Sequence, residues 1–237
     1  MKRSEWDSLH RGDINRLTVE IHRRAWKARP EVRHIRMGGQ DAVVKDYGRE
    51  ANIFKHLLGI FLVAREAAAL RRAEGLPHIA RVLGRPRLWI IVIEYLPGKP
   101  VTEVEPGALD VTYFDELERL VDNLHIRGVA HGDLEKLDNI LVMDDGSPAV
   151  VDFAAAIMPG LNPLAALALP HVCANDYRAI AKLKERVAPE LLSEKERRRL
   201  HYRTPAELWF RRIRTYIRDR VKRMAAGATE RGASPGN

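Results

Sequence analysis

Residues 131–142 read His-Gly-Asp-Leu-Glu-Lys-Leu-Asp-Asn-Ile-Leu-Val, which sets a histidine, two aspartates and an asparagine directly ahead of an apolar run that reads as a strand. After the reversal signal Asp145-Gly146, residues 149–153 (Ala-Val-Val-Asp-Phe) read as the returning strand of a hairpin. Folding that hairpin brings Asn139, just before its first strand, beside Asp152 at the end of its second, with Asp133 in the loop upstream. A carboxylate and an amide at the open end of a hairpin suit magnesium, which takes oxygen ligands, keeps several waters and usually shares its sphere with substrate phosphates. Asp133 is then placed to accept the proton of an incoming hydroxyl. Taken singly, each Asp or Asn reads better as a loop residue making an Asx turn. For the set that reading weakens, because Asp152 lies between Val151 and Phe153, where a carboxylate without a purpose costs burial energy. His131 reads as a hydrogen-bonding brace for the loop rather than as a base.

The N-terminal half supplies opposite charge. Val43, Lys45 and Tyr47 alternate along one strand face, so Lys45 stands in line with apolar neighbours. Glu66 has Leu62, Val63, Ala69 and Leu70 three and four residues away, which places a carboxylate on the apolar face of a helix. The economical arrangement is a Lys45–Glu66 ion pair that points the ammonium at phosphates. The alternative is that Lys45 snorkels to water while Glu66 pairs locally with Arg65 or Arg72.

The elements that must position these groups follow from periodicity and turn chemistry. Residues 32–37 and 42–47 read as a hairpin around Gly38-Gly39, residues 53–75 as one or two helices ending at Gly75, and residues 88–98 as a strand stopped by Pro97-Gly98. A helix is expected from Thr112 to Gly128, with Thr112 as its cap and Phe114, Leu117, Val121 and Leu124 on one face. Residues 154–174 are broken by Pro159, Gly160, Pro163 and Pro170, too interrupted to span a bilayer as a helix. Residues 175–187 and the last 45 residues read as helical, with capping boxes at Ser193/Glu196 and Thr204/Glu207. Residues 1–30 give little beyond Trp26 as a core anchor. The order implies an α+β chain with a strand-rich N-terminal part and a helical C-terminal part. Only residues 225–237 read as disordered.

With 237 residues, 46% of them hydrophobic, the chain is long enough to bury one substantial core. Its single cysteine, Cys173, rules out an internal disulfide and a thiolate metal cluster, and points to a reducing compartment. The first 15 residues lack the apolar stretch of a cleavable signal. The net charge of +8 is localised: residues 193–237 hold 13 Lys/Arg against 5 Asp/Glu, whereas residues 1–192 hold 27 of each. Such a segment fits an anionic partner, namely a phosphorylated lipid, a membrane surface or nucleic acid, or simply a solubilising helix face. In residues 205–224, Trp209, Ile213, Tyr216, Ile217 and Val221 share a face among arginines, as in an interfacial helix or one packed on the body of the protein. No groove-reading pattern accompanies the charge, so nucleic acid is not the expected partner.

In order along the chain, Lys45, Glu66, Ile93-Glu-Tyr-Leu-Pro-Gly98, His131-Gly-Asp-Leu with Asn139, and Val151-Asp-Phe153 resemble the protein-kinase-like fold over residues 32–190. The resemblance implies a bilobal α+β domain over 1–224, its N-lobe about 1–96 and its C-lobe about 97–224, followed by the tail 225–237. It implies ATP and Mg2+ as cofactors, Lys45 on the nucleotide phosphates, Glu66 holding that lysine, and Glu94 to Leu96 as the hinge whose backbone meets adenine. Asp133 takes the role of catalytic base, Asn139 and Asp152 those of magnesium ligands, and Asp176 that of a brace for the catalytic loop. The chain departs from the pattern in four places. Six steps separate Asp133 from Asn139 instead of five, so that Asp138 competes for the amide's place, and Glu135 stands where many protein kinases have lysine. The metal motif reads Asp-Phe-Ala, and no glycine-rich G-x-G-x-x-G loop precedes Lys45. The longer loop is similar to that of the small bacterial lipopolysaccharide-core and octulosonic-acid sugar kinases, often labelled RIO-like Ser/Thr kinases. That similarity implies a hydroxyl acceptor on a lipid-linked saccharide, with a Ser/Thr protein kinase or an inactive kinase-like scaffold as alternatives. The location it implies is cytoplasmic, with a peripheral place at the inner face of the bacterial inner membrane.

Overall fold

A computed structural model describes residues 5–26, 29–48, 53–105, 107–160, 163–201 and 215. Its described residues divide into two compact units, one holding residues up to 67 together with 81–95, the other holding 68–80 and 96–201.

The first unit is built on an antiparallel sheet whose strands are β1 (Thr18–Arg23), β2 (Glu31–Met37), β3 (Gln40–Asp46), β4 (Val82–Arg87) and β5 (Ile90–Glu94). They lie in the order β1-β2-β3-β5-β4. Gly38 and Gly39, both at positive φ, make the β2–β3 turn that their sequence announces. Helix α1 (Arg11–Leu17) and a 3₁₀ turn at Glu5–Ser8 cover one part of the sheet, burying Trp6, Leu9 and Ile14 against Ile35, Val44, Ile90 and Val92. The expected anchor, Trp26, is instead 60% exposed, and Trp6 does the anchoring at 7%. The reason lies in β4: a side chain at Gly84 would stand 2.7 Å from the Trp6 Cβ, so glycine leaves the space into which Trp6 packs. Helix α2 (Ile53–Arg72) is a single helix, with Gly75 at φ +83° just beyond it.

The second unit contains a small sheet ordered β6-β7-β8, from Gly98–Pro100, Ile140–Met143 and Pro148–Val150. The anticipated β7–β8 hairpin is present, with Ile140 opposite Val150, and β6 joins its outer edge. Helix α3 (Val111–Ile126) buries Phe114, Leu117, Val121 and Leu124 as the spacing predicts. Its cap is Asp110, whose Oδ1 accepts from Tyr113 N at 2.9 Å, so the Thr112 expectation is corrected: the aspartate two residues earlier takes the orphan amide. Helix α4 (Pro163–Val187) runs through Pro170, which the sequence reading treated as a break. Pro170 lies inside the helix, past its first turn, where it removes one backbone hydrogen bond at a cost of about 3 kcal/mol without ending the 25-residue helix. Helix α5 (Glu194–His201) starts with the expected box, Ser193 N donating to Glu196 Oε2 at 2.8 Å and Glu196 N to Ser193 Oγ at 3.3 Å. Among the described residues no helix is long and apolar enough to cross a membrane. The Thr204/Glu207 box, the amphipathic segment 205–224 except Thr215, and the tail 225–237 lie outside the described residues.

Candidate active site

In the first unit, Lys45 stands near the end of β3, opposite Val32 on β2 and Ile91 on β5. Its Nζ donates to Glu66 Oε1 at 2.6 Å, and the two side chains are 7% and 0% exposed. Glu66 belongs to the face of α2 that also buries Val63, Ala67 and Leu70. Lys45 therefore does not snorkel to water. Arg65, the residue before Glu66, lies over the Phe61 ring, and burial lowers its pKa despite the favourable charges of Tyr47 and Glu66.

Glu94 ends β5. Its carboxylate takes both arms of Arg81, Nε to Oε2 and Nη2 to Oε1 at 3.1 Å each, and its backbone N donates to Arg81 O at 2.9 Å. Burial alone would raise the Glu94 carboxyl, but the Arg81 bonds outweigh it and hold the group below its ordinary value. The side chain thus fastens the strand end. Leu96, half-buried, opens the second unit two residues before β6.

In the second unit the loop from Ala130 to Ile140 is organised by Asn139 and Asp176. Asn139 is buried at the end of a 3₁₀ turn, Leu137–Asn139. Its Nδ2 donates to the Asp133 carbonyl at 3.0 Å and, more weakly, to Asp133 Oδ2 at 3.5 Å, while its Oδ1 accepts from Lys136 Nζ at 3.2 Å. Its own carbonyl accepts from Val151 N at 3.0 Å, which extends the hairpin pairing to the residue before Asp152. The extra loop residue is absorbed with Asp138 turned outward, exposed and accepting from Thr102 Oγ1 at 3.3 Å. Asp152 follows in the left-handed region at φ +69°, a conformation that Asp and Asn tolerate better than most residues.

Asp176, on α4 and 1% exposed, accepts from His131 N at 2.8 Å and Gly132 N at 2.9 Å, and contacts His125 Nε2 at 3.1 Å. Gly132 adopts φ +76°, and a Cβ there would stand 3.0 Å from the Ala155 carbonyl. Asp133 N donates to His131 Nδ1 at 3.3 Å, so the His131 proton resides on Nε2, which faces the Val151 carbonyl at 3.0 Å. Burial pushes the His131 pKa down, in keeping with this neutral tautomer. His131 braces the loop against the segment that carries Asp152.

His125 was not singled out by sequence reasoning. Its signal is the position six residues before His131 at the C-terminal end of α3, where a protonated imidazole also meets the helix dipole favourably. Glu135 forms an ion pair with Lys182 of α4 at 2.7 Å, which accounts for a carboxylate where many kinases have lysine.

No protein-family model matches the chain. A stretch of 115 residues is 36% identical to the probable SapB synthase of Streptomyces coelicolor, covering 39% of this chain and 12% of that protein. A stretch of 131 residues is 30% identical to CBL-interacting serine/threonine-protein kinase 16 of Arabidopsis thaliana, covering 51% of this chain and 28% of the plant protein. Among solved structures, the Rio2 kinase-ADP/Mg2+-phosphoaspartate complex from Chaetomium thermophilum superposes with a TM-score of 0.58, over 84% of this chain and 62% of that one, at 17% identity. The chain has the protein-kinase-like fold. The aligned stretches span less than a third of these two curated relatives, and the likeness to Rio2 concerns the fold alone. Within the protein-kinase-like fold, the five-stranded sheet with α2 is the small strand-rich lobe, and α3 to α5 with the three-stranded sheet form the helical one.

Proposed function

We propose that the chain is an ATP- and Mg2+-dependent kinase that transfers the terminal phosphoryl group of ATP to a hydroxyl. The observation that carries this reading is Asn139: a buried amide that fixes the Asp133 backbone on one side and, through its carbonyl, the strand leading to Asp152 on the other. In this reading Lys45, steadied by Glu66, is the cation for the nucleotide phosphates, and the backbone from Glu94 to Leu96 meets adenine. Asp133 orients the acceptor hydroxyl and takes its proton as the new O–P bond forms and the bond to the leaving ADP oxygen breaks. The donors at Asn139 and Asp152 are hard oxygens of the kind Mg2+ takes, and Mg2+ at Asn139 Oδ1 would displace the Lys136 ammonium that now donates to it at 3.2 Å. Bound there, Mg2+ would neutralise phosphate charge. A single kinase domain then spans residues 1–224, with lobes about 1–96 and 97–224 and the tail 225–237 beyond.

The acceptor we favour is a sugar hydroxyl on a lipid-linked saccharide such as lipopolysaccharide core. Supporting it are the six-step loop from Asp133 to Asn139 and the net positive charge of residues 193–237, suited to an anionic membrane surface at the inner face of the bacterial inner membrane. A Ser/Thr protein kinase is the second reading, favoured by the likeness to a plant protein kinase and to Rio2. The test is transfer of labelled phosphate from ATP to lipid-linked core sugar and to protein acceptors in parallel. Loss of transfer in Asp133→Ala and Asp152→Ala, with folding retained, supports the kinase reading, and full activity in either variant overturns it. The acceptor that becomes labelled decides between the two classes.

A further inference from the structure

A second group of metal-ligating side chains lies in the strand-rich unit, on β1 and β2, apart from the residues assigned above. Glu20 and His22 both lie on β1, Glu20 directly opposite His34 and His22 at an irregularity of the β1–β2 register. A carboxylate oxygen of Glu20 and one nitrogen each of His22 and His34 all lie within 4.8 Å of one another. Glu20 and His22 are exposed, whereas His34 is buried.

His34 is held as a metal-binding imidazole is held. Its Nε2 lies 2.6 Å from Asp41 Oδ1, and its ring stacks on Tyr95 with centroids 4.3 Å apart and planes within 5°. Asp41 is itself clamped by Arg36, Nε to Oδ1 at 2.9 Å and Nη2 to Oδ2 at 3.0 Å. A carboxylate accepting from Nε2 fixes the tautomer and leaves Nδ1 its lone pair, which is how histidine ligands are usually supported from behind. The His22 ring lies parallel to that of His34, with centroids 6.2 Å apart, and Glu20 and His22 are both exposed.

We propose that Glu20, His22 and His34 form a binding site for a divalent transition-metal ion of the Zn2+ class, with Asp41 as the positioning residue. Two imidazoles and one carboxylate suit Zn2+ rather than Mg2+ or Ca2+, and three protein ligands leave one tetrahedral position for water or a substrate oxygen. The site also lies on the sheet face that carries Lys45, because His34 pairs with Val43 and Val32 with Lys45 across the β2–β3 register. A bound ion would join the edge strand β1 to β2 on that face.

The test uses the full chain without an affinity tag, stripped of metal and titrated with Zn2+ against a chromophoric chelator, and separately with Co2+ by visible absorption. The expected result is one Zn2+ per chain and intense tetrahedral Co2+ bands, both lost in Glu20→Ala/His22→Ala. Those two side chains are exposed, so circular dichroism is expected to match the native protein. Asp41→Asn is expected to weaken binding by about 10–100-fold while the Co2+ bands persist at saturation. Zn2+ uptake that is unchanged in the double variant, or a Co2+ spectrum identical to that of the aquo ion, would overturn the proposal. Phosphate transfer enters neither measurement, so the outcome stands apart from the kinase reading.

Discussion

Lys45 and Glu66 meet at 2.6 Å in surroundings that admit almost no water to either side chain. Desolvating both charges offsets much of their attraction, so the pair adds little net stability, while removing one partner takes from the other the ion pair that compensates its burial. Lys45→Met is therefore expected to cost about 3–5 kcal/mol in urea denaturation. The double variant Lys45→Met/Glu66→Leu should recover most of that loss. Additive single losses would show that the two side chains are not coupled.

Asn139 and Asp138 face opposite ways, one buried on the Asp133 carbonyl and the other exposed on Thr102. The proposed metal role therefore belongs to Asn139. Asn139→Ala is expected to raise the Mg2+ concentration needed for half-maximal phosphate transfer by at least about tenfold, since losing a ligand should cost no less than losing its supporting contact. Asp138→Ala should leave it unchanged. The reverse ranking, measured over a Mg2+ titration, would reassign the ligand.

What the sequence disclosed follows from how strongly each segment constrains its own structure. The β2–β3 and β7–β8 hairpins carried turn signals between apolar runs, and both formed. The edge strands escaped notice because edges tolerate what central strands refuse: β1 is mostly exposed, and β4 contains both Gly84 and Pro86. Trp26 and Trp6 were equally plausible as anchors by residue type, and the choice depended on the gap at Gly84, a long-range property. At the site, Lys45, Glu66 and Asp152 stood out as polar groups set in apolar patterns, Asp133 and Asn139 by their crowding ahead of a strand, and Asp176 only through the family resemblance. His125 did not, because its importance comes from Asp176 reaching it across 51 positions of sequence.

Gly132 sits at φ +76° with the Ala155 carbonyl where a Cβ would go. Gly132→Ala should destabilise the protein by at least about 1–2 kcal/mol from the backbone conformation alone. The 3.0 Å approach to a main-chain oxygen adds to that loss, because a backbone neighbour cannot rotate away. Since the same amide is held by Asp176 beside Asp133, phosphate transfer should fall further than stability explains at temperatures where the variant is fully folded. Native-like turnover in the folded variant would show that the loop tolerates the displacement.

His125 is the group whose titration should be visible in stability. Burial works against its protonation, but the hydrogen bond and charge of Asp176, with Cys173 nearby, outweigh that and raise its pKa from 6.5 to about 9. A folded-state pKa above the unfolded value means that the folded protein holds a proton which the unfolded chain releases. The stabilisation is therefore fully present below about pH 6.5 and falls away as the pH rises through 9. Compared with His125→Gln, the native chain should show its largest advantage in melting temperature near pH 6, with the gap narrowing steadily up to pH 9.5. Every other titrating group is common to both proteins, so the difference isolates this imidazole. A gap that stays constant across that window would mean that His125 contributes packing alone, and that Asp176 holds the loop through the His131 and Gly132 amides without a cationic partner.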